Sequence, residues 1–132
     1  MLQGNRRPGT AEDWIARANG DLALAKAPLP AGAFYEDLCF HAQQAAEKAI
    51  KAVYVRYDII FRYIHDLDEL LAGLEREGVK IPQGVKDVGT LTNYAWEARY
   101  PGVSEPVTEV EYREAIAIAE NVVKWAQGKI GL

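Results

Sequence analysis

From Thr10 onward the chain repeats one pattern: apolar residues three and four apart, interrupted by short breaks at proline and glycine. Thr10 opens the first repeat as a helix cap, with Asp13 three residues on. Trp14, Ile15, Ala18, Leu22 and Ala25 share one face, and Pro28 and Pro30 stop the helix. A second, longer helix is predicted from about Phe34 to Tyr57. There Leu38, Ala42, Ala45, Ala46, Ala49 and Val53 converge on one stripe. Alanine at these positions favours the helix and lets a neighbouring backbone come close. Glu47 and Lys51 read as an i,i+4 pair on the outer, solvated side, with Phe40 beside them.

The segment from Asp58 to Arg62 fits either a short extended connection or a continuation of that helix. His65-Asp66-Leu67 opens a short third helix with Leu67, Leu70, Leu71 and Leu74 as its apolar face, stopped at Gly78. Pro82 suits the first turn of a fourth helix that runs to Arg99-Tyr100, weakened at Gly84 and Gly89. Thr108 with Glu111 is a second capping box, opening a last helix to about Gly128. Tyr112, Ala115, Ile116, Ala119, Val122, Val123 and Ala126 form its broad apolar face. Ile118 and Trp125 lie together off that face, which fits either an oligomer contact or a helix covered on two sides. No segment alternates with period two, so no sheet is expected. The expected fold is all-α: an antiparallel up-and-down four-helix bundle with one extra short helix. Residues 1–9 read as a flexible tail and 10–132 as one helical domain.

Composition narrows the function classes. The 132 residues are 49% hydrophobic and 26% charged, with a net charge of −4. An acidic chain argues against broad electrostatic binding of nucleic acid. The single cysteine, Cys39, cannot form an intrachain disulfide, which fits a cytoplasmic setting. No apolar run reaches the roughly 18 residues of a membrane span, and the start has no secretory signal, so no membrane role is expected.

Candidate chemistry is thin. Two histidines, His41 and His65, are too few for an all-histidine metal site, no ligand spacing is visible, and no cofactor motif is present. Cys39 reads as a small core residue. Gln44, Lys48 and Lys51 share a face that could hold a phosphate or simply be solvated. Arg99 falls by phase on the apolar side of the fourth helix, where a guanidinium needs a carboxylate, a helix C-terminus or a ligand phosphate. Tyr100 follows it with a hydroxyl. His65 can be a titrating group or a structural hydrogen-bonding residue.

The run Phe40-His41-Ala42-Gln43-Gln44-Ala45-Ala46-Glu47-Lys48-Ala49-Ile50-Lys51-Ala52 resembles the central helix of HEPN-domain proteins. His65-Asp66-Leu67 with Leu70-Leu71, and the segment from Tyr94 to Pro101, resemble two further family signatures in the same order. The resemblance implies a helical bundle that commonly forms homodimers. It also implies a relation to the substrate-binding helical domain of some antibiotic nucleotidyltransferases. Prokaryotic members often pair with a small nucleotidyltransferase, many as toxin–antitoxin modules. On that footing the chain is expected to be a nucleotide- or partner-binding subunit, with Lys48, His65, Arg99 and Tyr100 as ligand contacts. Many members are instead metal-independent ribonucleases that use an arginine, four to six residues, then a histidine. Here eight residues separate Arg56 from His65, two separate Arg62 from His65, and no histidine follows Arg99. That departure points away from catalysis by the chain alone. A ribonuclease toxin acting on RNA through His65, and a purely structural dimerisation module, remain the alternatives.

Overall fold

The computed structural model describes residues 7–95 and 106–132, and among these every regular element is helical. Three long helices build the core: α1 (Ala11–Ala25), α2 (Tyr35–Arg56) and α5 (Glu109–Ile130). A short helix α3 (Leu67–Arg76), a single turn α4 (Gln83–Lys86) and a 3-10 segment (Asp87–Tyr94) close one side of the bundle. Helix α2 is the hub, packed along its length by α1 and α5.

The helix boundaries follow from local chemistry. Thr10 accepts from the Asp13 N–H and caps α1, and Thr108 and Glu111 bond reciprocally at the start of α5. Asp66 caps α3 through the Glu69 N–H at 3.2 Å. Helix α2 ends where Asp58 adopts a left-handed φ of 56°. The Ile59 N–H then reaches back to the Tyr54 carbonyl at 2.9 Å, which consumes a carbonyl the helix end would leave open. Gly78, at φ 91°, ends α3 in the same way. Of the two readings for Asp58 to Arg62, the extended connection is therefore the one adopted.

The alanine stripe packs as expected. Ala42, Ala45, Ala46, Ala49 and Ala52 are all fully buried, and Cys39 is buried among them. With only a methyl group at these positions, α1 and α5 can approach the α2 backbone closely.

Two expectations need correction. The predicted fourth helix is, in the described residues, one α-turn followed by a 3-10 segment. Glycines 84 and 89 lower the helix propensity there. Gly89 also lies directly against the Asp68 carboxylate of α3, an approach that a side chain would block. Trp96, Arg99 and Tyr100, which the same expectation covered, lie outside the described residues. The second correction concerns Glu47 and Lys51. They form their i,i+4 pair at 2.8 Å, but inside the protein, at 4% and 5% exposure.

Candidate functional site

Glu47 and Lys51 are buried because a second layer covers that face of α2. Trp14 of α1 and the connection 59–65 lie over it, with the Lys51 Nζ 5.9 Å from the Trp14 ring, 5.2 Å from Phe61 and 5.9 Å from Tyr63. An ammonium facing several aromatic rings is attracted by their quadrupoles. The rings also contact one another: Phe61 meets Trp14 and Tyr54 edge-on at 5.7 and 5.8 Å.

Glu47 is the acceptor at the centre of this layer. Its Oε2 takes a hydrogen bond from Lys51 at 2.8 Å; its Oε1 takes one from Gln43 at 3.0 Å and one from His65 Nδ1 at 2.8 Å. Gln44 extends the chain by donating to Gln43 at 2.8 Å. Burial alone would push the Glu47 carboxyl up. The hydrogen bonds from Lys51, His65 and Gln43 outweigh it and hold the group below the ordinary carboxylate value. An ionised carboxylate only accepts, so the facing His65 nitrogen carries its proton. Gln43 is fully buried, whereas the His65 side chain is about half exposed.

A second carboxylate repeats the theme between α1 and α2. Asp21, nearly buried, accepts from His41 Nδ1 at 3.0 Å and from Lys48 Nζ at 2.6 Å. Lys48, expected to meet a phosphate, is thus held by an intramolecular carboxylate. The face carrying Gln44, Lys48 and Lys51 is neither an open cationic surface nor a solvated one. Two networks divide it, each pairing a lysine and a histidine with one carboxylate.

Of the four candidate ligand contacts, Lys48 and His65 fall in these separate networks, and Arg99 and Tyr100 lie outside the described residues. Sequence reasoning missed Asp21, Gln43 and the Trp14–Phe61 layer. The i,i+4 spacing of Gln43, Glu47 and Lys51 was visible, but the layer that buries them comes from elsewhere in the chain.

Other surfaces are plainer. Ile60 and Tyr63 project from the connection at 95% and 92% exposure. Beneath them a cleft of about 150 Å³ separates the connection from α3, lined among others by Tyr54, Ile59, Phe61, Arg62, Leu70 and Arg76. Ile118 and Trp125 are half-buried and pack against the core, so the fold covers α5 on both sides at this point. The Trp125 Nε1 is buried with no acceptor among the described residues. Among the described residues no three His, Cys, Asp or Glu side chains gather as a metal site, and no helix is long and apolar enough to cross a membrane.

Comparison with known proteins agrees with this architecture. The crystal structure of TT1696 from Thermus thermophilus superposes with a TM-score of 0.77 at 30% identity, covering 90% of this chain and 97% of that one. ST0689, described as an archaeal HEPN homologue, gives a TM-score of 0.74 at 31% identity over 92% of this chain and 98% of that one. A Methanocaldococcus jannaschii protein named "Putative toxin MJ1304" is 46% identical over 52 residues. That match spans 39% of this chain and only 34% of the relative's length. The family model described as HEPN domain matches residues 11–129, nearly the whole helical bundle, and the chain therefore belongs to the HEPN domain family.

Proposed function

We propose that this chain is the partner-binding member of a toxin–antitoxin pair, without catalysis of its own, and that its partner is a small nucleotidyltransferase. The observation that carries this reading is the exposure of Ile60 and Tyr63. Two large apolar side chains stand almost fully in solvent on a connection whose neighbouring residues are held from beneath. The partial match to the Methanocaldococcus jannaschii protein named "Putative toxin MJ1304" supports the module context. The two α2 networks favour a protein partner over a nucleotide. Lys48 and Lys51 each sit against a carboxylate, which cancels most of the field a phosphate would need. On this reading the chain is also a homodimer.

Size-exclusion chromatography with light scattering tests the proposal directly, using this chain mixed with a candidate small nucleotidyltransferase. A stable complex is expected, weakened at least about tenfold by Ile60→Asp or Tyr63→Asp. No complex, or one indifferent to both substitutions, would remove the reading. Calorimetry with a panel of nucleotides at millimolar concentration tests the ligand role. Heat that Lys48→Ala, Arg99→Ala or Tyr100→Phe abolishes would return those residues to a binding site.

A second reading has one specific observation behind it. A buried carboxylate holding a half-exposed histidine is an arrangement that orients an imidazole for general acid–base chemistry. If the chain is a metal-independent ribonuclease, it cleaves RNA in the presence of a chelator, and His65→Ala abolishes cleavage. Intact RNA with the wild-type protein excludes it.

A further inference from the structure

The connection 59–65 has no regular secondary structure, yet its side chains hold it in place: Ile59, Phe61 and Ile64 pack against the core, and two polar anchors meet on α2. Among the described residues its backbone bonds are local, from the Ile59 N–H to Tyr54 and from the Ile64 N–H to Arg62. Neither ties it to a neighbouring helix other than the one it leaves. Beside that apolar packing, two of its contacts meet on one ion pair. At one end Phe61 and Tyr63 face the Lys51 ammonium, with Trp14 of α1 completing the layer. At the other end His65 donates to Glu47. Lys51 and Glu47 are bonded to each other, so both of these contacts meet on the same buried pair.

We propose that residues 59–65 form a strap latched by the Glu47–Lys51 pair, so that the exposed Ile60 and Tyr63 patch and the position of His65 are mechanically coupled. Phe61 carries the link, since its partly buried ring faces the Lys51 ammonium at 5.2 Å and meets the exposed Tyr63 ring edge-on at 5.9 Å. A contact that moves Tyr63 shifts Phe61 against Lys51, and through Glu47 changes the anchor of His65. By the reciprocity of linked equilibria, whatever fixes His65 also stabilises the patch. Loosening the pair should release the strap while the α1–α2–α5 core, built on the buried alanine stripe, stays folded. The coupling belongs to the connection itself and stands apart from the identity of any partner.

Hydrogen exchange followed by mass spectrometry reads the latch. Single substitutions would strand a buried charge and threaten the fold, so the variant of choice is the double Glu47→Gln/Lys51→Met, which removes both charges together. Within peptides covering 59–65, the hydrogen-bonded Ile59 and Ile64 amides are expected to exchange at least about tenfold faster than in the wild type, with α5 peptides unchanged. Unchanged exchange in 59–65, or an equal rise throughout the bundle, would overturn the latch. A second measurement tests the coupling. In Phe61→Ala, which leaves Glu47 and His65 in place, the His65 ring resonances should shift while those of His41 hold. His65 resonances identical to wild type would show that the two anchor points act independently.

Discussion

Removing the Glu47 carboxylate is the sharpest test of the buried network. In Glu47→Ala the Lys51 ammonium stays at a site 5% exposed with no anion beside it, and the buried Gln43 amide loses its acceptor. Breaking a buried ion pair from one side costs about 3–5 kcal/mol, and an orphaned buried amide adds about 1 kcal/mol. Two effects offset part of that. The Lys51 ammonium keeps its three aromatic rings at 5.2–5.9 Å, worth about 1 kcal/mol together. The His65 side chain is already half in water, so losing this acceptor costs it little. The net expectation is a loss on the order of 3 kcal/mol. Lys51→Met should cost less, about 2 kcal/mol, because Gln43 and His65 still donate to the carboxylate. Urea unfolding followed by far-ultraviolet circular dichroism gives both numbers and that of the double variant Glu47→Ala/Lys51→Met. Neighbours in one network are not additive, so the double variant should lose well under the sum of the singles. Single losses below about 1 kcal/mol, the range of exposed pairs, would refute the burial argument, and so would simple additivity.

Other expectations follow from the same geometry. The folded Glu47 carboxyl titrates below its ordinary value of 4.5, so near that pH the unfolded chain takes up the proton first. Its contribution is complete above 4.5 and is lost as pH falls through the lowered folded value; urea midpoints between about pH 7 and 3 should fall less steeply in Glu47→Gln than in wild type. Gly73 lies against the Tyr54 hydroxyl, which donates to the Leu70 carbonyl. Gly73→Ala should therefore destabilise by about 1–2 kcal/mol despite the better helix propensity of alanine, and adding it to Tyr54→Phe should cost nothing further. Thr108→Ala opens the capping box of α5 and should cost about 1 kcal/mol in thermal or urea unfolding.

Much of the fold was legible because its signals are local. Thr10, Asp66, Thr108 and Gly78 mark helix ends through bonds made within a few residues. The alanine stripe of α2 announces a close-packed hub by composition alone. The fourth helix is the exception, because its apolar spacing fits two geometries. The close approach of Gly89 to Asp68, which a side chain would block, depends on where α3 lies. The site was less legible than the fold. Glu47 and Lys51 carry the spacing of an ordinary exposed pair, and nothing within α2 distinguishes them from one.

The sequence by itself determined the helices, their caps, the central role of α2 and the HEPN family. Each of these is written in residue order over one or two turns. The tertiary structure alone decided which polar residues are buried. It brings Trp14 from α1 and Phe61 from the connection over a face that would otherwise be wet, and it sets Asp21 against Lys48. Whether a charge meets water, a carboxylate or an aromatic ring depends on partners distant in the chain, and periodicity within one helix carries no record of them.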